Sequence, residues 1–285
     1  MKKLLAGLFL SVLVLALAAC GAGKKDDASS GASTEDKTDS KENVTLTVGA
    51  SNTPHAVILE KAKPILAEQG IDLKIETYTD YVLPNQDLDS KTLDANYFQH
   101  IPYLELQIKD NGYDFVNAGG VHIEPIGIYS KKYKTLDELP EGATILLSSS
   151  VADHGRMLSL LEAKGLIKLK DGIDKTAAEL KDIAENPKNF KFDANTAPEM
   201  LVQMYENNEG DAVLINSNFA IDNGLNPVND SIALEDKESP YVNIIAVRAG
   251  DETKEEIKKL LEVLTSKEIQ DFILEEWKGS VVPVQ

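Results

Sequence analysis

Four stretches of the 285-residue chain place polar side chains directly after runs that read as β-strands. Asp80 and Tyr81 follow residues 72–79. Gln99, His100 and Tyr103 follow 94–98. Ser148, Ser149, Ser150, Asp153, His154 and Arg156 follow 143–147, and Asn216, Ser217 and Asn218 follow 211–215. In open α/β sheets ligands bind beyond the carboxyl ends of the strands, so these distant residues share one topological position. Arg156 is the sharpest of them, one of only two arginines with Arg248. In the first turn of a helix it is a cation set against the helix dipole. A guanidinium fork beside a helix N-terminus makes a carboxylate site; a salt bridge to a nearby Asp or Glu is the other use. The run Tyr97-Phe98-Gln99-His100-Ile101-Pro102-Tyr103 is an aromatic cluster at a strand-to-helix corner. It can wall an apolar ligand group or fill core. Asn216 offers an amide to a ligand, or caps a helix.

Catalytic and metal chemistry have less support. Ser148–Ser150 with Asp153 and His154 are the residue types of a hydrolase triad, but no G-x-S-x-G elbow is present. His55, His100, His122 and His154 are far apart, without H-x-x-x-H spacing or a cysteine pair. There is no Gly-rich phosphate loop. The expectation is a binding protein with no catalytic residue, no metal and no cofactor.

The elements that must position these residues alternate. Val44–Ala50 reads as a strand, followed by a helix through Leu66 after the start signal Ser51-Asn52-Thr53-Pro54. Strands at 72–79 and 94–98 precede a helix with Pro102 in its first turn. Residues 121–130 are extended, interrupted by Pro125. Further on, 143–147 is a strand and Asp153–Ala163 a helix with Asp153 as N-cap. A short strand at 166–169, a helix at 176–185, an extended 190–192, a helix at 198–206 and strands at 211–215 and 241–247 follow. Thr253–Trp277 is a charged amphipathic helix or helix pair. This alternation predicts parallel α/β sheets covered on both faces, in two lobes joined through 121–130 and 236–247. The first lobe is then discontinuous, 44–126 with 243–285, and the second is 127–242.

The N-terminus carries different information. Lys2 and Lys3 precede sixteen residues, Leu4–Ala19, that are apolar apart from Ser11. That is the size and flank of a secretory signal, too short for an ordinary membrane span. The junction Leu17-Ala18-Ala19-Cys20 looks like a bacterial lipobox, which predicts a signal peptide at 1–19 and lipid on Cys20. Cys20 is the only cysteine, so no intrachain disulfide can form. Residues 21–43 hold no Val, Ile, Leu, Phe or Tyr, and 20–43 read as a lipidated flexible tether. The expected location is the extracytoplasmic face of the cell membrane. Cleavage removes Lys2 and Lys3 and takes the net charge from −18 to −20. That excludes nucleic acid as partner, whose binding is driven by cations on phosphates.

Several stretches read together resemble the methionine-binding lipoproteins of ABC importers. They are Asp80-Tyr81-Val82-Leu83-Pro84-Asn85, Gly155-Arg156-Met157-Leu158, Gly165–Leu169, Glu185-Asn186-Pro187-Lys188, Tyr241–Ile244 and above all D-A-N-Y-F-Q-H-x-P-Y-L at 94–104. The resemblance spans essentially all of 44–285. It implies a type II periplasmic-binding-protein fold, two α/β lobes around a central ligand cleft joined by hinge strands. It implies an amino-acid ligand, L-methionine, with Arg156 on its carboxylate and Asn216 and Asn243 on its head group. Tyr81, Phe98, His100 and Tyr103 then wall the thioether. It also implies ABC permease and ATPase subunits as partners. One departure stands beside Arg156: where the family has a stretch like I-P-N-D-x-x-N, this chain has Ser148-Ser149-Ser150-Val151-Ala152-Asp153-His154. D-methionine, a methionine-containing dipeptide or another amino acid are therefore alternatives, and Asp153 and His154 stand where they add a contact. A surface lipoprotein used for adhesion or scaffolding is the alternative function.

Overall fold

Strands whose residues are apolar at odd and even positions alike must be covered on both faces, and this chain has several. The computed structural model describes residues 43–236 and 239–284; the expected signal peptide, Cys20 and nearly all of the tether lie outside them. The first part of the chain forms β1 (Val44–Ser51), α1 (Val57–Glu68), β2 (Ile71–Tyr78), α2 (Leu83–Asp89), β3 (Ala95–His100), α3 (Ile101–Asn111) and β4 (Phe115–Ile123). The middle forms β5 (Gly127–Tyr129), β6 (Thr144–Ser148), α4 (Val151–Ala163), β7 (Lys168–Leu169), β8 (Ile183–Glu185), β9 (Lys191–Thr196) and α5 (Leu201–Glu206). It continues with β10 (Ala212–Ile215), α6 (Ser217–Asp222), α7 (Pro227–Asp230) and β11 (Ala233–Leu234). The end of the chain is β12 (Val242–Arg248), α8 (Glu255–Leu264), α9 (Lys267–Trp277) and β13 (Val282–Pro283). Among the described residues no helix is long and apolar enough to cross a membrane.

The strands form a six-stranded sheet, β13-β4-β12-β3-β1-β2, and a five-stranded one, β11-β5-β10-β6-β9, beside a small β7-β8 pair. Side chains alternate between two cores as the two-residue strand period requires. In β12, Ile245 and Val247 join the core under α1, α8 and α9, while Ile244 and Ala246 face α2 and α3. In β6 and β10, Ile145, Leu147 and Leu214 pack with α4, and Leu146, Val213 and Ile215 pack with α5 and α6.

The sheets are mixed, not parallel throughout. β1 runs parallel to β2 and β3, but β12 is antiparallel to β3 and β4, and β5 is antiparallel to β10. The chain passes from the first sheet to the second between β4 and β5 and returns between β11 and β12. It re-enters where β3 ends, so β12 runs the opposite way.

Two helix assignments also change. Residues 176–185 form no α-helix but short 3-10 turns, Lys175–Ala177 and Leu180–Asp182, leading into β8. Local side-chain bonds outcompete a helix there: the Asp174 carboxylate accepts from the Thr176 N–H at 3.0 Å and Asp182 from the Glu179 N–H at 3.1 Å. α4 begins earlier than expected, with Ser150 at the N-cap position and Asp153 inside the first turn. Arg156 therefore lies in the second turn, where the dipole penalty has largely faded.

Gly155 explains why a glycine precedes that arginine. A Cβ there would sit 2.3 Å from the Thr176 carbonyl oxygen and 2.5 Å from that of Lys175. These are backbone atoms that cannot rotate away. Gly155→Ala is expected to cost about 3 kcal/mol, seen as a fall in Tm of roughly 6–12 °C for a body of this size. An unchanged melt would show that the 174–178 segment yields freely.

Candidate functional site

Each element that ends at the cleft delivers its side chains there for a local reason. β3 carries Phe98 and His100 at its carboxyl end, and His100 caps α3: its Nδ1 accepts from the Tyr103 N–H at 3.2 Å. That leaves the proton on Nε2. The corner is held by a buried amide network. Asn85 Nδ2 donates to Gln99 Oε1 at 3.1 Å, Gln99 Nε2 donates to Asn85 Oδ1 and Asn96 Oδ1 at 2.9 Å each, and Asn96 Nδ2 donates to Asn85 Oδ1 at 2.8 Å. The D-A-N-Y-F-Q-H run thus fixes β3 to α2 while it presents an aromatic wall.

All seven ligand-contact candidates line one cavity between the two sheets. Tyr81, Phe98, His100 and Tyr103 form its aromatic side. The Tyr103 hydroxyl donates to the Tyr81 carbonyl at 2.8 Å, and the Tyr81 hydroxyl donates to Asn218 Oδ1 at 2.7 Å. Arg156, Asn216 and Asn243 form its polar side. Asn216 stands at the N-cap position of α6, yet its side chain makes no cap bond; its Nδ2 reaches Asp153 Oδ2 at 3.3 Å. Asn243 arrives through strand direction. Because β12 is antiparallel, its second residue pairs with His100 at the end of β3 and with His122 on β4.

Arg156 carries both of the uses read from sequence. It lines the cavity, and it is also an ion-paired residue. Its Nε and Nη2 donate to Glu235 Oε2 at 2.9 and 2.5 Å, and Nη2 donates to the Glu124 carbonyl at 2.5 Å. The Tyr241 ring lies 4.9 Å from the guanidinium carbon. Burial alone would lower its pKa, but Glu235, Asp153 and Glu124 raise it instead.

Sequence reasoning missed one carboxylate, Glu124, and offered the other, Asp153, only as an added contact. Glu124 follows β4 and is 4% exposed; Asp153 is 2% exposed, and both line the cavity. The signal for Glu124 was there: one acid in the apolar run Val121–Ile128, a residue rarely buried unless partnered. Asp153 Oδ1 accepts from His100 Nε2 at 3.3 Å. Burial would raise its pKa; the bonds to His100 and Asn216 and the charge of Arg156 hold it below the usual carboxylate value. For Glu124 burial prevails and raises its pKa, against His55 and Arg156. His154 does not join the site: its Nε2 meets the Ser148 backbone carbonyl at 2.8 Å, so no serine hydroxyl is activated there.

Behind Glu124 lies a second buried group. Glu124 Oε1 is 2.7 Å from His122 Nε2 and 3.2 Å from His55 Nε2, while His122 Nδ1 is bonded to the Tyr97 hydroxyl. His55 Nε2 also meets Asn243 Oδ1 at 3.1 Å. Burial, partly opposed by Glu124, lowers the His55 pKa to about 4, and burial lowers that of His122 to about 3. Both are neutral imidazoles that donate from Nε2. Ligand-type atoms of His55, His122 and Glu124 lie within 4.8 Å of one another, the one grouping among the described residues that could hold a metal ion.

Two mixed sheets, two crossings between them and a polar-and-aromatic cleft make the type II periplasmic-binding-protein architecture. The chain belongs to the NlpA lipoprotein family, whose model matches residues 46–285. It is 51% identical to the methionine-binding lipoprotein MetQ of Bacillus subtilis strain 168, over 100% of this chain and 99% of that protein. Among solved structures it is similar to a nutrient binding protein from Burkholderia cenocepacia bound to methionine, at 41% identity and a TM-score of 0.80. That match covers 84% of this chain and 100% of the other. An ABC transporter, periplasmic substrate-binding protein from Coxiella burnetii matches at 35% identity and a TM-score of 0.79, with the same two coverages.

Proposed function

We propose that this protein is the solute receptor of an ABC importer, held outside the cell membrane by lipid on Cys20. It captures methionine and passes it to a permease driven by an ATPase, and it catalyses no reaction itself. The observation that carries this reading is convergence. Residues from separate stretches of the chain, with Tyr81, Phe98, His100 and Tyr103 on one side and Arg156, Asn216 and Asn243 on the other, line a single cavity. An apolar wall opposite charged and amide groups suits an amino acid with an apolar side chain. The B. subtilis relative, named for methionine binding, and the methionine-bound B. cenocepacia structure support the ligand. The C. burnetii structure supports the transporter. L-methionine is the first ligand to test, with D-methionine and a methionine-containing dipeptide as the alternatives.

The two lobes are 44–126 with 243–285, and 127–242; membership of the two sheets supports this division. Mass spectrometry of the small molecule that co-purifies with the protein tests the ligand, and recovery of a compound without a methionine side chain would overturn it. Cys20→Ala is expected to leave binding by the purified protein unchanged and to abolish efficient methionine uptake by cells. Uptake at the normal rate in that variant would remove the anchor from the mechanism.

A further inference from the structure

We propose that His55, which does not line the cavity, is a positioning residue for ligand capture: it holds the side-chain oxygen of Asn243, so that the amide N–H2 of Asn243 faces into the cleft. The inference rests on the receptor reading above and adds to it a residue that stands behind the ligand contacts.

The atoms around Asn243 fix its orientation. An Asn side chain can turn over about its last bond, which exchanges its donor and acceptor ends. Asn243 is 5% exposed and lines the cavity, whereas His55 is 1% exposed and lies outside the lining. His55 Nε2 is 3.1 Å from Asn243 Oδ1 and 3.2 Å from Glu124 Oε1. A ring nitrogen that faces two oxygens, one of them from a carboxylate, carries the proton, so Nε2 is the donor. Only the oxygen end of the Asn243 amide matches that donor. Turning the amide over would set N–H2 against N–H. The Nδ2 end is thereby left to the cavity.

The imidazole cannot follow the amide, because it is held itself. His55 stands in the turn Asn52–Ala56 between β1 and α1. Its ring meets the Tyr97 ring edge-on, with centroids 4.6 Å apart, and lies 5.0 Å from the His122 ring. Glu124 Oε1 accepts from His122 Nε2 at 2.7 Å, and the Tyr97 hydroxyl bonds His122 Nδ1. Tyr97 belongs to β3 and His122 to β4, and Asn243 belongs to β12, the strand between them. His55 Nδ1 is buried without a partner among the described residues, so the ring is tied through Nε2 alone. The neighbouring strands set the imidazole, and the imidazole sets the amide. A side chain ordered before the ligand arrives removes an ordering cost from binding.

Titration calorimetry of the intact protein with L-methionine tests this. His55→Leu fills the space without the donor and should bind roughly tenfold more weakly, the scale of ordering one side chain. His55→Gln brings an amide N–H2 near the place of Nε2 and should stay within about threefold of the wild type. In an Asn243→Ala background His55→Leu should cause no further loss, because the two residues act as one unit. Wild-type affinity in His55→Leu would overturn the positioning role. So would a Gln variant as weak as the Leu variant, or a tenfold loss that persists without the Asn243 amide, which marks general damage to the cleft.

A second measurement needs no ligand. NMR relaxation of the Asn243 side-chain amide, its signals identified by their loss in Asn243→Ala, should report a rigid group in the wild type and in His55→Gln and a mobile one in His55→Leu. An equally rigid amide in His55→Leu would overturn the positioning and leave the receptor reading intact. If no methionine form binds the wild-type protein, the receptor reading falls by itself, and the relaxation data still decide whether His55 holds the amide.

Discussion

Arg156→Ala is expected to abolish most ligand binding, by ~100-fold or more, and to cost about 3–5 kcal/mol of stability, the loss found when one partner of a buried ion pair is removed. Both effects follow from its double engagement. The residue lines the cavity and also pairs with Glu235, whose side chain is 13% exposed. Without it Glu235 loses two hydrogen bonds, and Asp153 and Glu124 lose the nearby charge that favours their ionised forms. A second variant separates the two effects. Arg156→Ala with Glu235→Gln should recover part of the stability, because no unpaired carboxylate remains at Glu235, but should recover no affinity. Arg156→Lys should fall short in both, since an ammonium cannot reproduce the fork that reaches Glu235 and the Glu124 carbonyl together. Wild-type affinity in the alanine variant, measured by calorimetry, would sink the role of Arg156 in binding.

The second large effect is on stability below neutral pH. His55 and His122 have pKa values of about 4 and about 3 in the folded protein, against 6.5 for an ordinary histidine. Once the pH falls below 6.5, the unfolded chain binds two protons that the folded protein does not. Stability therefore declines from pH 6.5 towards 4, by up to ~2.7 kcal/mol per pH unit, about half of it from each imidazole. Glu124 works the other way. Its pKa is raised by burial, so the folded protein takes up a proton there before the unfolded chain does, which softens the lower part of the decline. Carboxylates with lowered pKa, such as Asp153, Asp211 and Asp251, lose their contribution only below the usual carboxylate range. The window from pH 7 to 5 thus separates the histidines from those aspartates. Urea unfolding at pH 8, 7, 6 and 5 should show little change over the first step and a steep fall by the last. A flat profile down to pH 5 would mean that the two imidazoles are not held neutral.

Much of this was legible in the residues, and the exceptions have physical causes. The post-strand positions of Tyr81, His100, Arg156 and Asn216 could be read because a strand's carboxyl end is set by local pattern. Asn243 could not be read that way. Its place depends on β12 running antiparallel to β3, a fact of topology that no local run encodes, and only the family resemblance supplied it. Glu235 stayed hidden for a similar reason, since its pairing with Arg156 spans 79 positions. The 176–185 segment has helical composition, but Asp174 and Asp182 divert its backbone into turns and Gly155 lets that backbone close on α4. Asp153 was assigned a capping role by its type, yet it sits past the cap on the buried side of the first turn.

The chain crosses between its sheets twice, and Arg156 is bonded at both crossings: to the Glu124 carbonyl just past β4, and to Glu235 just past β11. In mechanical terms the guanidinium is a rivet: one side chain ties together the two stretches that link the sheets, so displacing one stretch against the other must stretch or break these bonds.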